Sequence, residues 1–170
     1  MVPMRTARLV IQPLGLDDDA FVLRLLNEPS FMENIADKGV RDLDGARAYL
    51  RDGPLASYAR HGFGLWRVGL AGDGTAIGMA GLLKRDYLDG IDIGYAFLPE
   101  YTGQGYALEA TRAVMEHARQ LSGVRGVLAI VSEHNVRSIG LLGKLGFQPD
   151  GSVRIPGSDE TVRRFAATFV

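Results

Sequence analysis

A strand-like run from Ile91 to Leu98 is stopped by Pro99, and the stretch Pro99-Glu-Tyr-Thr-Gly-Gln-Gly-Tyr-Ala107 then leads into a long amphipathic helix. No other part of the chain limits its possible folds so sharply. Gly103 and Gly105 free the backbone to turn sharply, and the helix starts at about Ala107. Such a turn aims unpaired backbone N–H groups at whatever lies above the helix N-terminus, where an anion, most often a phosphate, is best accommodated. The expected ligand is therefore a phosphorylated small molecule. The plain alternative is an ordinary glycine turn before a helix.

The hydrophobic pattern around this turn predicts the remaining elements. Leu9 to Leu14 reads as a first strand, with Pro13 placing it near an edge or an end. Asp17, Asp18 and Asp19 open a helix with Phe21, Val22, Leu25 and Leu26 on its apolar face, ended by Asn27-Glu-Pro29. Phe31 to Val40 shows no clean period and is assigned to loop or short turns. Asp42 or Asp44 caps a second helix carrying Ala46, Tyr49, Leu50 and Ala56. After His61-Gly62 the period changes to two, with strands over Phe63–Leu70 and Thr75–Lys84 joined by Gly72-Asp-Gly74. Asp89-Gly90 turns the chain into the Ile91–Leu98 strand. The helix Ala107–Leu121 is closed by Ser122-Gly123. Val127 to Val131 is apolar on both faces, as a central parallel strand must be. A helix over Asn135–Leu145 and two strands, about Phe147–Val153 and Val162–Val170, complete the order β-α-α-β-β-β-α-β-α-β-β. This is an α+β (mixed α/β) fold, with an antiparallel front half and a right-handed βαβ back half.

Composition narrows the functional classes. A length of 170 residues suits a single domain over 1–170. A net charge of −1 supplies no global field for nucleic acid or an anionic membrane, so neither is an expected partner and any anion needs a local site. With no cysteine, disulfides, thiolate metal sites and a cysteine nucleophile are excluded, and no metal is expected. No signal-like or membrane-spanning apolar run is seen, which makes a cytoplasmic protein the expectation.

Two familiar phosphate-binding patterns do not fit. Gly140-Leu-Leu-Gly-Lys144 has the wrong spacing for a P-loop and falls inside a helix. A dinucleotide fold would use Gly103-x-Gly105 and Glu133, but Leu108 stands where its third glycine belongs.

The pattern Asp92-Ile-Gly-Tyr95, Thr102-Gly-Gln-Gly-Tyr-Ala107, Asn135-Val-Arg-Ser138 and Lys144-Leu-Gly-Phe147 resembles the GNAT superfamily of N-acetyltransferases. It is closest to the branch named after the Rim enzymes (RimJ/RimL-like), which acetylate N-termini of ribosomal proteins. Thr6 to Leu14 also looks like that branch's opening strand. The resemblance implies a strongly twisted mixed sheet whose central parallel strands splay apart. It implies acetyl-CoA as acetyl donor, with its pyrophosphate on the backbone of Thr102, Gly103, Gln104, Gly105, Tyr106 and Ala107. Thr102 replaces the Gln or Arg usual at its position. The pantetheine arm is expected against the backbone of Phe97 and Leu98, whose N–H groups would polarise the acetyl carbonyl.

Several side chains carry two readings. On the Ile91–Leu98 strand, Asp92, Gly94, Ala96 and Leu98 share one face; its small residues either leave room for a ligand or fit under packed neighbours. Asn135 is a helix N-cap by position and a pantetheine ligand by resemblance. Relatives with a tyrosine seven residues after that asparagine use it to protonate the thiolate; here the position is Leu142, and Ser138 becomes the candidate for that role. Lys144 and Arg137 either hold phosphates or are solvated helix charges.

Transfer to an amine also needs a base, since an ordinary amine is protonated at neutral pH. Asp92 is the first candidate, against a reading as a turn residue; Glu133, His134, Glu28, Glu33 and His61 are weaker ones. The reading is direct acetyl transfer to a primary amine through a tetrahedral intermediate, by a monomer or homodimer. The acceptor is a peptide N-terminus or a small molecule. The alternative is a non-catalytic acyl-CoA-binding sensor on the same fold.

Overall fold

The structure, a computed structural model, describes residues 2–170; Met1, the first residue of the expected 1–170 domain, lies outside the described residues. The chain runs β1 (Met4–Arg5), β2 (Leu9–Pro13), α1 (Asp19–Leu26), α2 (Pro29–Asn34), α3 (Leu43–Leu50), a π-helical turn (Arg51–Leu55), then α4 (Ala56–His61). It continues through β3 (Leu65–Leu70), β4 (Ala76–Lys84), β5 (Ile91–Phe97), α5 (Tyr106–Arg119), β6 (Gly126–Val131), α6 (Val136–Lys144), β7 (Gln148–Arg154) and β8 (Thr161–Thr168). One mixed sheet holds all eight strands in the order β1-β2-β3-β4-β5-β6-β8-β7. The first five pair antiparallel, and β5-α5-β6 is the parallel crossover.

The front half holds more elements than the expected order: β1, α2 and α4 are additional, and Ala56 begins α4 rather than extending the helix of Ala46 and Leu50. The segment assigned to loop, Phe31 to Val40, begins inside α2, because Pro29 both ends α1 and sits in the first turn of the next helix, where its missing N–H costs nothing. Phe31 is buried among Leu25, Leu26 and Leu50, and that packing, which local periodicity does not reveal, fixes the short helix. The first strand also gains a partner, β1, across a turn in which the Thr6 N–H donates to Leu9 O (3.0 Å). Asp42, not Asp44, caps α3, its carboxylate accepting from the Gly45 N–H at 2.7 Å.

Alternation along the strands divides the core between the two sheet faces. Trp66, Val68, Leu82 and Ile93 meet Ala110, Val114 and Ala118 of α5. Met79 and Leu98 pack with Val22, Leu25 and Leu50 from α1 and α3.

The central parallel pair is where the sheet opens. β4 and β5 stay in register from Gly78↔Phe97 to Lys84↔Ile91, but β5 matches β6 only at Asp92↔Leu128. The Leu98 N–H donates to Ile77 O (2.9 Å). The alternation of an antiparallel ladder then points the N–H and C=O groups of Tyr95 and Phe97 away from β4, into the space between β5 and β6.

Candidate functional site

A cleft of about 1120 Å³ runs through this opening, from Gly105 and Lys144 at one end to Phe31 and Tyr49 at the other. At the first end, Gly103 and Gly105 both adopt left-handed backbone, with φ of +74° and +85°. Gly105 is the N-cap of α5 and supplies no capping side chain, so the first N–H groups of that helix keep no side-chain partner. Thr102 Oγ1 donates back to Pro99 O (2.8 Å), and Gln104 Nε2 donates to Glu100 O (2.8 Å). Arg8 braces the turn from behind: it donates to Gln104 O (3.0 Å), pairs with Glu109 (2.8 Å) and lies 4.2 Å over the Tyr106 ring. Gln104 and Tyr106 thus hold the turn, while Thr102, Gly103, Gly105 and Ala107 line the cleft. An uncapped, cation-braced helix start with left-handed glycines fits a diphosphate held through main-chain amides.

Leu98 departs from its expected role. Its side chain is buried, its N–H is given to Ile77 O, and its carbonyl accepts from the Tyr101 N–H (3.0 Å). The β5 N–H groups that face the gap at this end are those of Tyr95 and Phe97. Gly94 answers to both readings: a Cβ there would lie 2.9 Å from Leu83 Cδ1 and 3.2 Å from Leu65 Cδ2, and Gly94 and Ala96 also line the cleft. The room for a ligand runs between the strands and on over this small-residue face toward Phe31 and Tyr49.

Asn135 Oδ1 accepts from the Ser138 N–H (3.2 Å), capping α6 and leaving its Nδ2 donors unused by the cap. Ser138 Oγ lies 2.5 Å from the Tyr95 hydroxyl. Leu142 is buried and lines the cleft without a proton to offer. Lys144 and Arg137 stand at the cleft rim, both exposed. Sequence reasoning missed Tyr95. Its strand alternation places it beside the gap, but its partner is 43 residues away on another element.

Asp92 is 0% exposed, on the face opposite Tyr95. Arg85 Nε donates to its Oδ2 at 3.0 Å, while Oδ1 has no partner. Burial pushes the carboxyl up to about 6 against the opposing pull of Arg85. Arg85 was also missed, although the β4–β5 hairpin register, with Lys84 opposite Ile91, brings it alongside Asp92. Of the weaker base candidates only His61 lines the cleft. Glu33, Glu133 and His134 are exposed, Glu28 pairs with Arg24 (3.3 Å), and His61 lies on the cleft wall stacked on Phe63 (5.4 Å between ring centres).

Removing Arg85 should therefore destabilise the fold in a pH-dependent way. Breaking a buried pair from one side costs about 3–5 kcal/mol; with the Arg85 side chain 33% exposed, about 2–3 kcal/mol is expected for Arg85→Gln at pH 8. The stranded carboxyl escapes by taking a proton, so the loss should shrink at pH 5. Equal losses at both pH values in urea denaturation would show that the pair is not the cause.

Among the described residues, no cluster of three or more His, Cys, Asp or Glu side chains is placed to hold a metal ion, and no helix is long and apolar enough to cross a membrane.

The profile of the Acetyltransferase (GNAT) domain matches residues 8–148. The N-acetyltransferase YnaD of Bacillus subtilis (strain 168) is 30% identical over 71 residues, which is 41% of this chain and 42% of that protein; the match thus spans about two-fifths of the relative's length. An acetyltransferase from Agrobacterium tumefaciens str. C58 superposes with a TM-score of 0.82 at 21% identity, covering 98% of this chain and 94% of that one. RimL, a ribosomal L7/L12 alpha-N-protein acetyltransferase solved in complex with coenzyme A, gives 0.83 at 14% identity, covering 99% and 98%. At these identities the structural likenesses speak for the fold.

Proposed function

This chain belongs to the GNAT acetyltransferase family, and we propose that it moves an acetyl group from acetyl-CoA directly to a primary amine, on a peptide N-terminus or a small molecule. The observation that carries the reading is the β5/β6 opening with an uncapped, glycine-turned helix start at its mouth. An extended thioester arm can add to the free β5 edge as a strand would, with its diphosphate on the turn. The resemblance of motifs to the Rim branch favours a peptide N-terminus as acceptor.

The chemistry follows from the residues around the gap. The Tyr95 N–H donates to the acetyl carbonyl and to the oxyanion that forms from it, while the Phe97 N–H, about 6.6 Å along the strand and nearer the turn, holds the pantetheine arm. Asn135 Nδ2 holds the pantetheine arm, and Lys144 adds charge near the phosphates. Ser138 donates to the departing sulfur. Asp92 lies about 10 Å along the strand from Tyr95, three residues at about 3.3 Å each. Its unpartnered Oδ1 therefore takes the amine's proton through water rather than by contact.

Saturating acetyl-CoA should raise the melting temperature, by the equivalent of about 2.7 kcal/mol at a hundredfold excess over Kd. A panel of peptide N-termini, polyamines and amino acids, read by thiol release, then identifies the acceptor. A melting temperature unmoved by acetyl-CoA counts decisively against this reading; binding without thiol release on any amine would favour a sensor.

A further inference from the structure

We propose that Tyr95 is a positioning residue for thiol release, donating its phenol hydrogen to Ser138 Oγ so that the Ser138 hydrogen is directed at the sulfur of coenzyme A. The inference rests on the acetyl-transfer reading above, and it gives work to a side chain that closes the Asp92-Ile-Gly-Tyr95 motif without a role there.

The Ser138 main-chain N–H is already given to Asn135 Oδ1, and the side-chain partner of Ser138 Oγ is the Tyr95 hydroxyl at 2.5 Å. Two hydroxyls that share one hydrogen bond have one O–H left over. A phenol is the stronger acid of the two, so it is the better donor, and the serine hydrogen is the one left free. A serine near a helix start otherwise turns its hydroxyl toward nearby backbone groups. Here the phenol occupies one lone pair and fixes the rotor.

Tyr95 is well placed to hold that bond. Its ring packs against the core on the α5 face, and its own main-chain N–H borders the gap. Burial pushes its phenol up, so it stays neutral and keeps its hydrogen at neutral pH. Leu142, buried in the cleft wall, has no proton to offer in their place. In the step itself, the C–S bond of the tetrahedral adduct breaks and its electron pair passes to sulfur. Ser138 steadies that charge by a hydrogen bond until sulfur takes the proton the amine has given up. Tyr95 loses no proton at any point.

The test uses coenzyme A alone as probe, so it needs no known acceptor. The thiol of bound coenzyme A is titrated by the ultraviolet absorbance of its thiolate, for wild type, Tyr95→Phe, Ser138→Ala and the double variant. The expected wild-type midpoint lies below the free thiol value of about 8.5. Each single variant should raise it by about one pH unit, and the double variant should raise it no further. With an acceptor in hand, Tyr95→Phe should lower kcat about tenfold and leave the KM for acetyl-CoA unchanged. A Tyr95→Phe midpoint equal to wild type overturns the proposal, as does a double variant whose shift is the sum of the two. Failure of coenzyme A to bind wild type would instead remove the acetyl-transfer reading, and this proposal with it.

Discussion

Asp92→Asn is expected to lower kcat/KM about a hundredfold while the fold persists. A positioned general base contributes about 10²–10⁴ to rate, and this one acts through water, which argues for the lower end. The pH profile is the sharper measurement. Two ionisations must be in the right state in wild type: a neutral amine and an ionised carboxyl at about 6. Below that pH, log kcat/KM should therefore rise with a slope of two, falling to one between it and the amine's own pKa. In Asp92→Asn the slope should be one throughout. A variant that keeps the two-slope profile would remove Asp92 from the proton path.

The same substitution carries a stability signature of defined sign. The folded carboxyl lies at about 6, above its ordinary 3.8. Between those values the folded chain holds a proton that the unfolded chain has lost. Stability therefore falls as pH rises through that window, by about 3 kcal/mol in all, and is level above it. Asp92→Asn should abolish that slope.

The elements that set up the site were legible because their signals are local. The glycine turn, the apolar β6 run and the Asn135 cap each occupy fewer than ten consecutive residues and follow from backbone chemistry alone. The opening of the sheet was legible only through family resemblance, since a register that matches at Asp92 and nowhere beyond leaves no mark in periodicity. What stayed hidden was tertiary. α2 exists because Phe31 finds a pocket between α1 and α3. Leu98 looks like a gap residue until the Ile77 carbonyl claims its N–H. Tyr95 and Ser138 meet across a fold, and Arg85 reaches Asp92 around a hairpin. The end of the cleft away from the glycine turn is lined by α2, α3 and the π-helical turn at Arg51–Leu55, where sequence periodicity is weakest.

Gly105→Val should cost about a hundredfold or more in acetyl-CoA affinity, read by calorimetry or by loss of the thermal shift. Gly105 sits at φ +85°, where a β-branched residue is a genuine outlier. Its Cβ alone would lie 3.2 Å from Arg8 Nη2, and Arg8 is tied to Gln104 O, Glu109 and the Tyr106 ring. The strain of about 1–2 kcal/mol is relieved only if the turn relaxes to negative φ. That relaxation swings the first amides of α5 off the anion position, where charge-assisted hydrogen bonds are worth about 1.5–3 kcal/mol each. Two lost bonds, about 3–6 kcal/mol, exceed the roughly 2.7 kcal/mol that a hundredfold loss represents. Gly103→Ala is the informative companion. Its φ is +74°, but nothing lies within 4 Å of the added Cβ, so only the strain applies and about a tenfold loss is expected. Equal effects at the two glycines would mean that the Arg8 brace plays no part. Unchanged affinity in Gly105→Val would mean that the diphosphate is not held by this turn.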